Sequence, residues 1–597
     1  MRRRIISWWF VVVLSMCGAA VVQGQGQIIY VDAAAVGAND GSSWTDARTF
    51  LQDALVTASD APKPVEIRVA QGIYKSDQGT GVTPGDRDAT FQLLNGVALR
   101  GGYAGVTATD PDARDVEQSP SVLRGSGADP TPLQPLEYIV TGSYTDATAV
   151  LDGFRIVDSR TAGVQIEEGS PIVSHCTLAG NSIGIRCRTA GSPTISDCYF
   201  TDNAAGLSNH DCEIKLARCL FERNSEGISC VDGTIHVIDS TFRDNDGEVM
   251  SGSASQSFDL FRCSFVNNTV DGRSILNWYG GLTARQCSFR SNRSQTPILE
   301  GLGQGEVTLV DCEFIGNASV HSCVINVVGP ALTATRCSFI GNTSDGGYMG
   351  FLAIRGGSVA RLSHCLFTGN TMRQEASMVF STGLFLHLSN CTFADNRGLY
   401  NVLDGAWDMA DVTQCIVRDG PAPFQDLSPV TQEITVTYSN IEGGYEGLGN
   451  IDADPAFVGG GYWAAQDNPG VEVGPEDPNA VWVPGDYHLK SQAGHWDRET
   501  ETWILDDVTS PCIDAGDPNG YLGDERFPNG GYVNMGAYGG TLEASRSYFG
   551  KPVCENQIAG DINGDCIVDQ TDMDILLSHW LMEPADIFPA VALPPSN

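Results

Sequence analysis

Asp561, Asn563, Asp565, Asp569 and Asp572 place five side-chain oxygen donors at positions 1, 3, 5, 9 and 12 of one twelve-residue segment, with the carbonyl of Ile567 available at position 7. Hard oxygens at that spacing suit calcium, which takes six to eight of them and relieves the repulsion between the carboxylates. Met573, Leu576, Leu577, Trp580 and Leu581 follow at the spacing of an amphipathic helix, so loop and helix form one calcium-binding unit over 552–585. Elsewhere the titratable residues form no catalytic constellation. Asp197 and Asp239 are a candidate carboxylate pair, but Arg218 recurs between them and would hold both ionised. Whether the chain is an enzyme is left open.

What must position these residues is a repeat. Cys-x-Phe-x-x-Asn occurs at Cys219/Phe221/Asn224, Cys263/Phe265/Asn268, Cys287/Phe289/Asn292, Cys312/Phe314/Asn317, Cys337/Phe339/Asn342, Cys365/Phe367/Asn370 and Cys391/Phe393/Asn396, with Cys198/Phe200/Asn203 and weaker copies at Cys176/Leu178/Asn181 and Ser240/Phe242/Asn245. Successive copies are 21 to 28 residues apart. Each contains short apolar runs with period-two alternation, such as Leu309 before Cys312 and Val324 with Ile325 after Asn317, and leaves no room for a helix. The prediction is an all-β parallel β-helix in which Cys, Phe and Asn stack on their copies in the next coil, about 4.8 Å away. Stacked positions have parallel Cβ vectors, so the ladder cysteines are expected to be free, buried thiols.

The repeats resemble the right-handed parallel β-helix (pectin-lyase-like) superfamily over roughly 28–545, and the Phe-x-x-Asn phrase is similar to the repeats of polymorphic outer-membrane proteins. The resemblance implies an N-terminal cap with first coils at 28–150, including a helix over 44–58; regular coils at 151–420; and last coils with a C-terminal cover at 421–545. Trp463, Trp482, Trp496 and Trp503 would pack that cover over the end. The segment 561–572 resembles a type I dockerin repeat, an EF-type loop with Asp at position 12. It departs from that family in carrying Cys566 at the glycine position and in being single, which argues against docking to a cohesin-like partner; Gln570 and Thr571 would face such a partner. Cys554, twelve residues before Cys566, is its expected disulfide partner.

Arg2, Arg3 and Arg4, the apolar run 8–14 and small residues at 18–20 read as a secretory signal peptide over 1–24, so the protein is expected to be secreted, extracellular or at the cell surface, with no membrane span. Without those three arginines, 32 basic residues face 73 acidic ones, a balance opposed to nucleic-acid and anionic-membrane binding and suited to cations. A ligand face is expected after the third strand of each coil, where Asn277, Glu300, Asn326, Arg355, Ser381 and Asp404 recur beside Trp278, Tyr279, Tyr348 and Trp407. Polar groups with aromatics suit an extended extracellular polysaccharide. Glu300 and Asp404 fall four coils apart, about 19 Å, too far to share one glycosidic bond. The expected function is therefore glycan-associated binding or a surface-structural role; the alternative that the β-helix resemblance implies is a polysaccharide lyase or glycoside hydrolase acting in polysaccharide catabolism.

Overall fold

A computed structural model describes residues 26–125, 138–253, 256–303, 305–329, 331–345, 350–356, 359–405, 408–419, 433–474, 477, 479–550, 560 and 568–579. The chain forms two compact units, Met1–Ser257 and Phe258–Asn597, and both wind as right-handed parallel β-solenoid. Among the described residues no helix is long and apolar enough to cross a membrane.

In the first unit every strand pairs in parallel with its counterpart one coil on. Val173, Ile195, Leu216 and Val237 are in register in one column, and Leu178, Phe200, Phe221 and Phe242 in another. Alternation turns these side chains inward, where all are buried. The phenyl rings stack with near-parallel planes, centroids 4.3 Å apart from Phe200 to Phe221 and 4.8 Å from Phe221 to Phe242.

The helix near the start spans Leu51–Asp60, shorter than the expected 44–58 at its beginning and longer at its end. The reason is local: Arg48 N–H donates to the Tyr30 carbonyl and the Arg48 carbonyl accepts from Asp32 N–H, so this stretch bridges to a strand before the helix begins. Trp44 is used in packing, with Tyr30 and Tyr103 rings at 4.9 and 5.6 Å. The helix buries Leu51, Ala54, Leu55 and Ala58 against the strands Gln27–Val31, Val65–Ala70 and Phe91–Gln92.

The second unit repeats the same coil. Phe265, Phe289, Phe314, Phe339, Phe367 and Phe393 stack at 4.5 to 5.0 Å with near-parallel planes. Two left-handed residues frame each short strand, one before the Cys and one before the Asn. Asp311 (φ 54°) and Gly316 (φ 63°) flank Glu313–Ile315, and Arg336 (φ 51°) and Gly341 (φ 62°) flank Ser338–Ile340. Such corners orphan backbone groups, and the ladder Asn recovers them. Asn317 Oδ1 accepts from both Asn292 N–H (3.0 Å) and Asn292 Nδ2 (2.9 Å), while Asn317 Nδ2 donates to the Phe289 carbonyl at 2.8 Å. The ladder cysteines are free and buried, each Sγ directed to a nearby carbonyl, and burial pushes the thiols of Cys365 and Cys391 up.

After the last coils, the antiparallel strands Tyr462–Ala465, Asn468–Glu472 and Ala480–Val483 form a small sheet. The region meets the last coil, where Asn440 Nδ2 donates to Cys512 Sγ at 3.0 Å, and it also lies along the flank of several coils. Tyr487 Oη bonds Thr368 and Asp395, Ala537 N–H donates to Thr392 Oγ1, and Asn390 Nδ2 donates to the Asn534 carbonyl. Trp482 lies so close to the corners that a Cβ on Gly369 would sit 2.1 Å from its ring, and one on Gly341 2.9 Å from its Cβ. It is this approach, not φ, that calls for glycine at those two corners, since Ser291 and Asp395 hold a similar φ at the equivalent corners of other coils.

Candidate functional site

The face expected to bind ligand is carried by the strands Leu276–Trp278, Leu299–Gly301, Ile325–Val328, Leu352–Arg355, Thr371–Ser381 and Arg397–Gly405. Register brings Asn277, Glu300 and Asn326 into one line and continues it through Ala353 and Phe380 to Asp404. Arg355 and Ser381 do not stand in that line. Arg355 pairs with Val328 and Ser381 with Ile354, because the longer coils shift the polar positions along the strand.

Arg355 nevertheless reaches the line by turning back one coil. Its Nε and one Nη donate to Asn326 Oδ1 at 3.2 and 2.9 Å. Asn326 Nδ2 donates to Glu300 Oε1 at 3.3 Å, and Ser274 Oγ donates to Glu300 Oε2 at 2.9 Å. The result is a hydrogen-bonded track, Ser274–Glu300–Asn326–Arg355, across successive coils. Ser274 and Asn326 are buried, and Glu300 and Arg355 are half-buried.

The aromatic side of the expectation fares differently. Alternation puts Trp278 inside the coil, fully buried above Gly301, where a Cβ would sit 2.6 Å from the indole; Trp278 is core, not a stacking platform. Tyr279 is 41% exposed, whereas Tyr348 and Trp407 lie outside the described residues. Asp404 is partly buried, and desolvation pushes its carboxyl up. Register keeps it four coils from Glu300, about 19 Å.

The carboxylate at Asp197 is engaged by Arg218 through two bonds of 2.7 Å, and that guanidinium holds it below its ordinary range. A general acid needs the opposite shift. Asp311 and Arg336 make the same rung in the second unit.

Of the calcium-loop residues, Asp569 and Asp572 are described, and they are brought together: Asp572 is buried and its Oδ2 accepts Asp569 N–H at 2.8 Å, at the start of the helix Gln570–His579. Asp561, Asn563, Asp565 and Ile567 lie outside the described residues, as do Cys554 and Cys566. Among the described residues no cluster of three or more His, Cys, Asp or Glu is placed to hold a metal.

The sequence reading missed a cleft of about 230 Å³ under the small antiparallel sheet, between Asp395, Asn396, Arg397, Arg418 and Asp419 on the coils and Tyr462, Trp463, Glu472 and Trp482 on the sheet. The signal was present in the Trp-rich insert, whose aromatics were assigned to packing alone. Asp419 forms the end of the asparagine ladder, with Oδ1 accepting Asn396 N–H at 3.0 Å and Oδ2 accepting Asn396 Nδ2 at 2.5 Å. Burial pushes its carboxyl up to about 7, against the pull of those two bonds.

Residues 141–270 match the family model described as a right-handed β-helix region. Residues 437–516, which include the small sheet and its aromatics, match a second one, described as disaggregatase related. Similar solved structures include the pectate lyase Pel9A (12% identity over 86% of this chain and 96% of that one, TM-score 0.29). Others are the catalytic unit of a thermostable GH87 α-1,3-glucanase from Streptomyces thermodiastaticus strain HF3-3 (13% identity, 73% and 71%, TM-score 0.29) and a rhamnogalacturonan lyase (11% identity, 72% and 91%, TM-score 0.24). A search of curated proteins found no match.

Proposed function

We propose that this is a secreted β-solenoid that binds an extended extracellular glycan without cleaving it, and that a calcium-stabilised, dockerin-like tail serves as its association element. The observation that carries the binding reading is the Ser274–Glu300–Asn326–Arg355 track, which offers carboxylate, amide and guanidinium groups along consecutive coils. A chain of sugar rings laid along the coils would meet a new polar group at each step. The separation of Glu300 from Asp404 supports binding over hydrolysis, since a glycosidase needs its two carboxyls roughly 5 to 9.5 Å apart. In this reading the helix Leu51–Asp60 shields the apolar start of the first coil, and the leader at 1–24 directs export.

Purified protein should bind soluble polysaccharides in affinity electrophoresis, and Glu300→Gln should weaken that binding about tenfold without releasing or losing reducing ends. Turnover by the wild type that vanishes in Glu300→Gln would replace the binding reading with an enzyme. For the tail, calorimetry of the full chain should show one calcium site, abolished in an Asp561→Ala/Asp565→Ala double variant; equal calcium heats in both proteins would leave the segment an ordinary turn.

A further inference from the structure

We propose that the cleft under the antiparallel sheet is a second carbohydrate site, one that takes a single pyranose ring at the end of a neutral glycan. The inference does not depend on the Glu300 track; it rests on how this cleft is built.

One wall is aromatic. Trp463 and Trp482 pair across two antiparallel strands, rings edge to face with centroids 5.3 Å apart; Trp463 is buried and backs the half-buried Trp482, and Tyr462 beside it is 37% exposed. Their positions are fixed. Gly461 leaves no room for a side chain, since a Cβ there would lie 2.2 Å from the Trp482 ring, and Trp482 is itself seated on the coil corner at Gly369. An aromatic wall held rigid before the ligand arrives costs little to order, and it matches the apolar face of a pyranose.

The opposite wall is polar. Asp395 is exposed and spends one oxygen on Tyr487 Oη, at 2.6 Å. Glu472 and Arg397 are exposed, and among the described residues neither side chain has a hydrogen-bond or ion-pair partner. A carboxylate only accepts and a guanidinium only donates, so together they serve hydroxyls, which do both. The balance of charge selects against an acidic sugar. Asp395, Asp419 and Glu472 line the cleft, while Arg418 is committed to Asp452 at 3.1 Å, which leaves Arg397 as the free cation there among the described residues. A volume of about 230 Å³ falls below the range of roughly 300 to 1,000 Å³ of pockets for drug-sized ligands, which limits the occupant to about one ring.

The test is titration of the full-length protein with xylotriose, cellotriose and trigalacturonate, read by intrinsic tryptophan fluorescence and calorimetry. Glu472→Gln, Arg397→Ala and Glu300→Gln are compared, and thermal melts confirm that each is folded. At least one neutral trisaccharide should bind and perturb the tryptophan signal, and Glu472→Gln and Arg397→Ala should each weaken it tenfold or more while Glu300→Gln leaves it unchanged. The proposal is overturned if no neutral trisaccharide binds, if trigalacturonate binds in preference, or if the loss follows Glu300→Gln instead. The last result would place the ligand on the Glu300 track, and loss of binding at the track with the cleft intact would sink the earlier reading alone.

Discussion

Asn317 and Asn326 lie nine residues apart in one coil, both buried, and they do opposite kinds of work. Asn317 belongs to a ladder: its amide bonds backbone and side chain of its copies in neighbouring coils, Asn292 before it and Asn342 after it. Asn326 bonds only side chains that occur once, Glu300 and Arg355. At the first site the neighbour above and below is the same residue, so the geometry that satisfies one coil satisfies all of them. At the second, each coil presents something different. The solenoid therefore has an edge that maintains its stacking and another that is free to vary, and the variable edge carries the candidate ligand track.

The largest effect should come from breaking the ladder. Asn317→Ala removes the acceptor of Asn292 N–H and the donor to the Phe289 carbonyl, both at a buried corner where water cannot replace them. The expected cost is roughly 2–4 kcal/mol, as for buried polar groups left unsatisfied. Chemical denaturation of the purified variant measures it directly. A loss below about 0.5 kcal/mol would mean that the ladder decorates the corner without holding it.

The ladder also has an end, and there pH becomes the probe. Asp419 occupies the acceptor place that a further asparagine would fill, at the cost of a buried carboxyl whose folded pKa is about 7 against an ordinary value of 3.8. Between about pH 4 and 7 the folded chain keeps a proton that the unfolded chain has released, so this group makes stability fall as pH rises through that window and adds no further change above it. Asp419→Asn keeps an oxygen for both Asn396 donors and cannot ionise. The variant should match the wild type near pH 4 and exceed it by roughly 2 kcal/mol at pH 8, a figure below the full shift because the site can relax. Melting curves at the two pH values decide it, and equal differences at both would show that Asp419 is not titrating in this window.

The same asymmetry governs what could be read from the residues alone. The Cys, Phe and Asn columns repeat, so their types and spacing were enough to give strands, coil length, free thiols and the self-stacking amide. The alternating charges before each Cys were legible as ion pairs, as Asp311 and Arg336 show, yet nothing in their types reveals that these residues also sit at left-handed φ. On the variable edge the line through Asn277, Glu300, Asn326 and Asp404 was found, whereas Arg355 was misplaced by two residues, because a coil that grows longer no longer tells the reader where its third strand begins. Trp278 stands beside that line in sequence but points into the core, because a single polar neighbour does not fix the inward face. The cleft at Asp395–Trp482 depends on a sheet folding back beside coils that precede it by about forty to ninety residues, and no local pattern predicts that return.

The smallest effect should be the loss of Asn326, and it sharpens the comparison most. Removing its amide takes one hydrogen bond from Glu300 and from Arg355, but both are half-buried at the surface, where water can replace it, so Asn326→Ala should cost only about 1 kcal/mol or less. Its consequence should appear in binding: with the track interrupted at its midpoint, affinity for the extended polysaccharide should fall by about as much as in Glu300→Gln. Denaturation and affinity electrophoresis on the same preparation give both numbers. A variant destabilised as strongly as Asn317→Ala, with binding intact in what remains folded, would make the Asn326 track one more structural column and erase the distinction between the two edges.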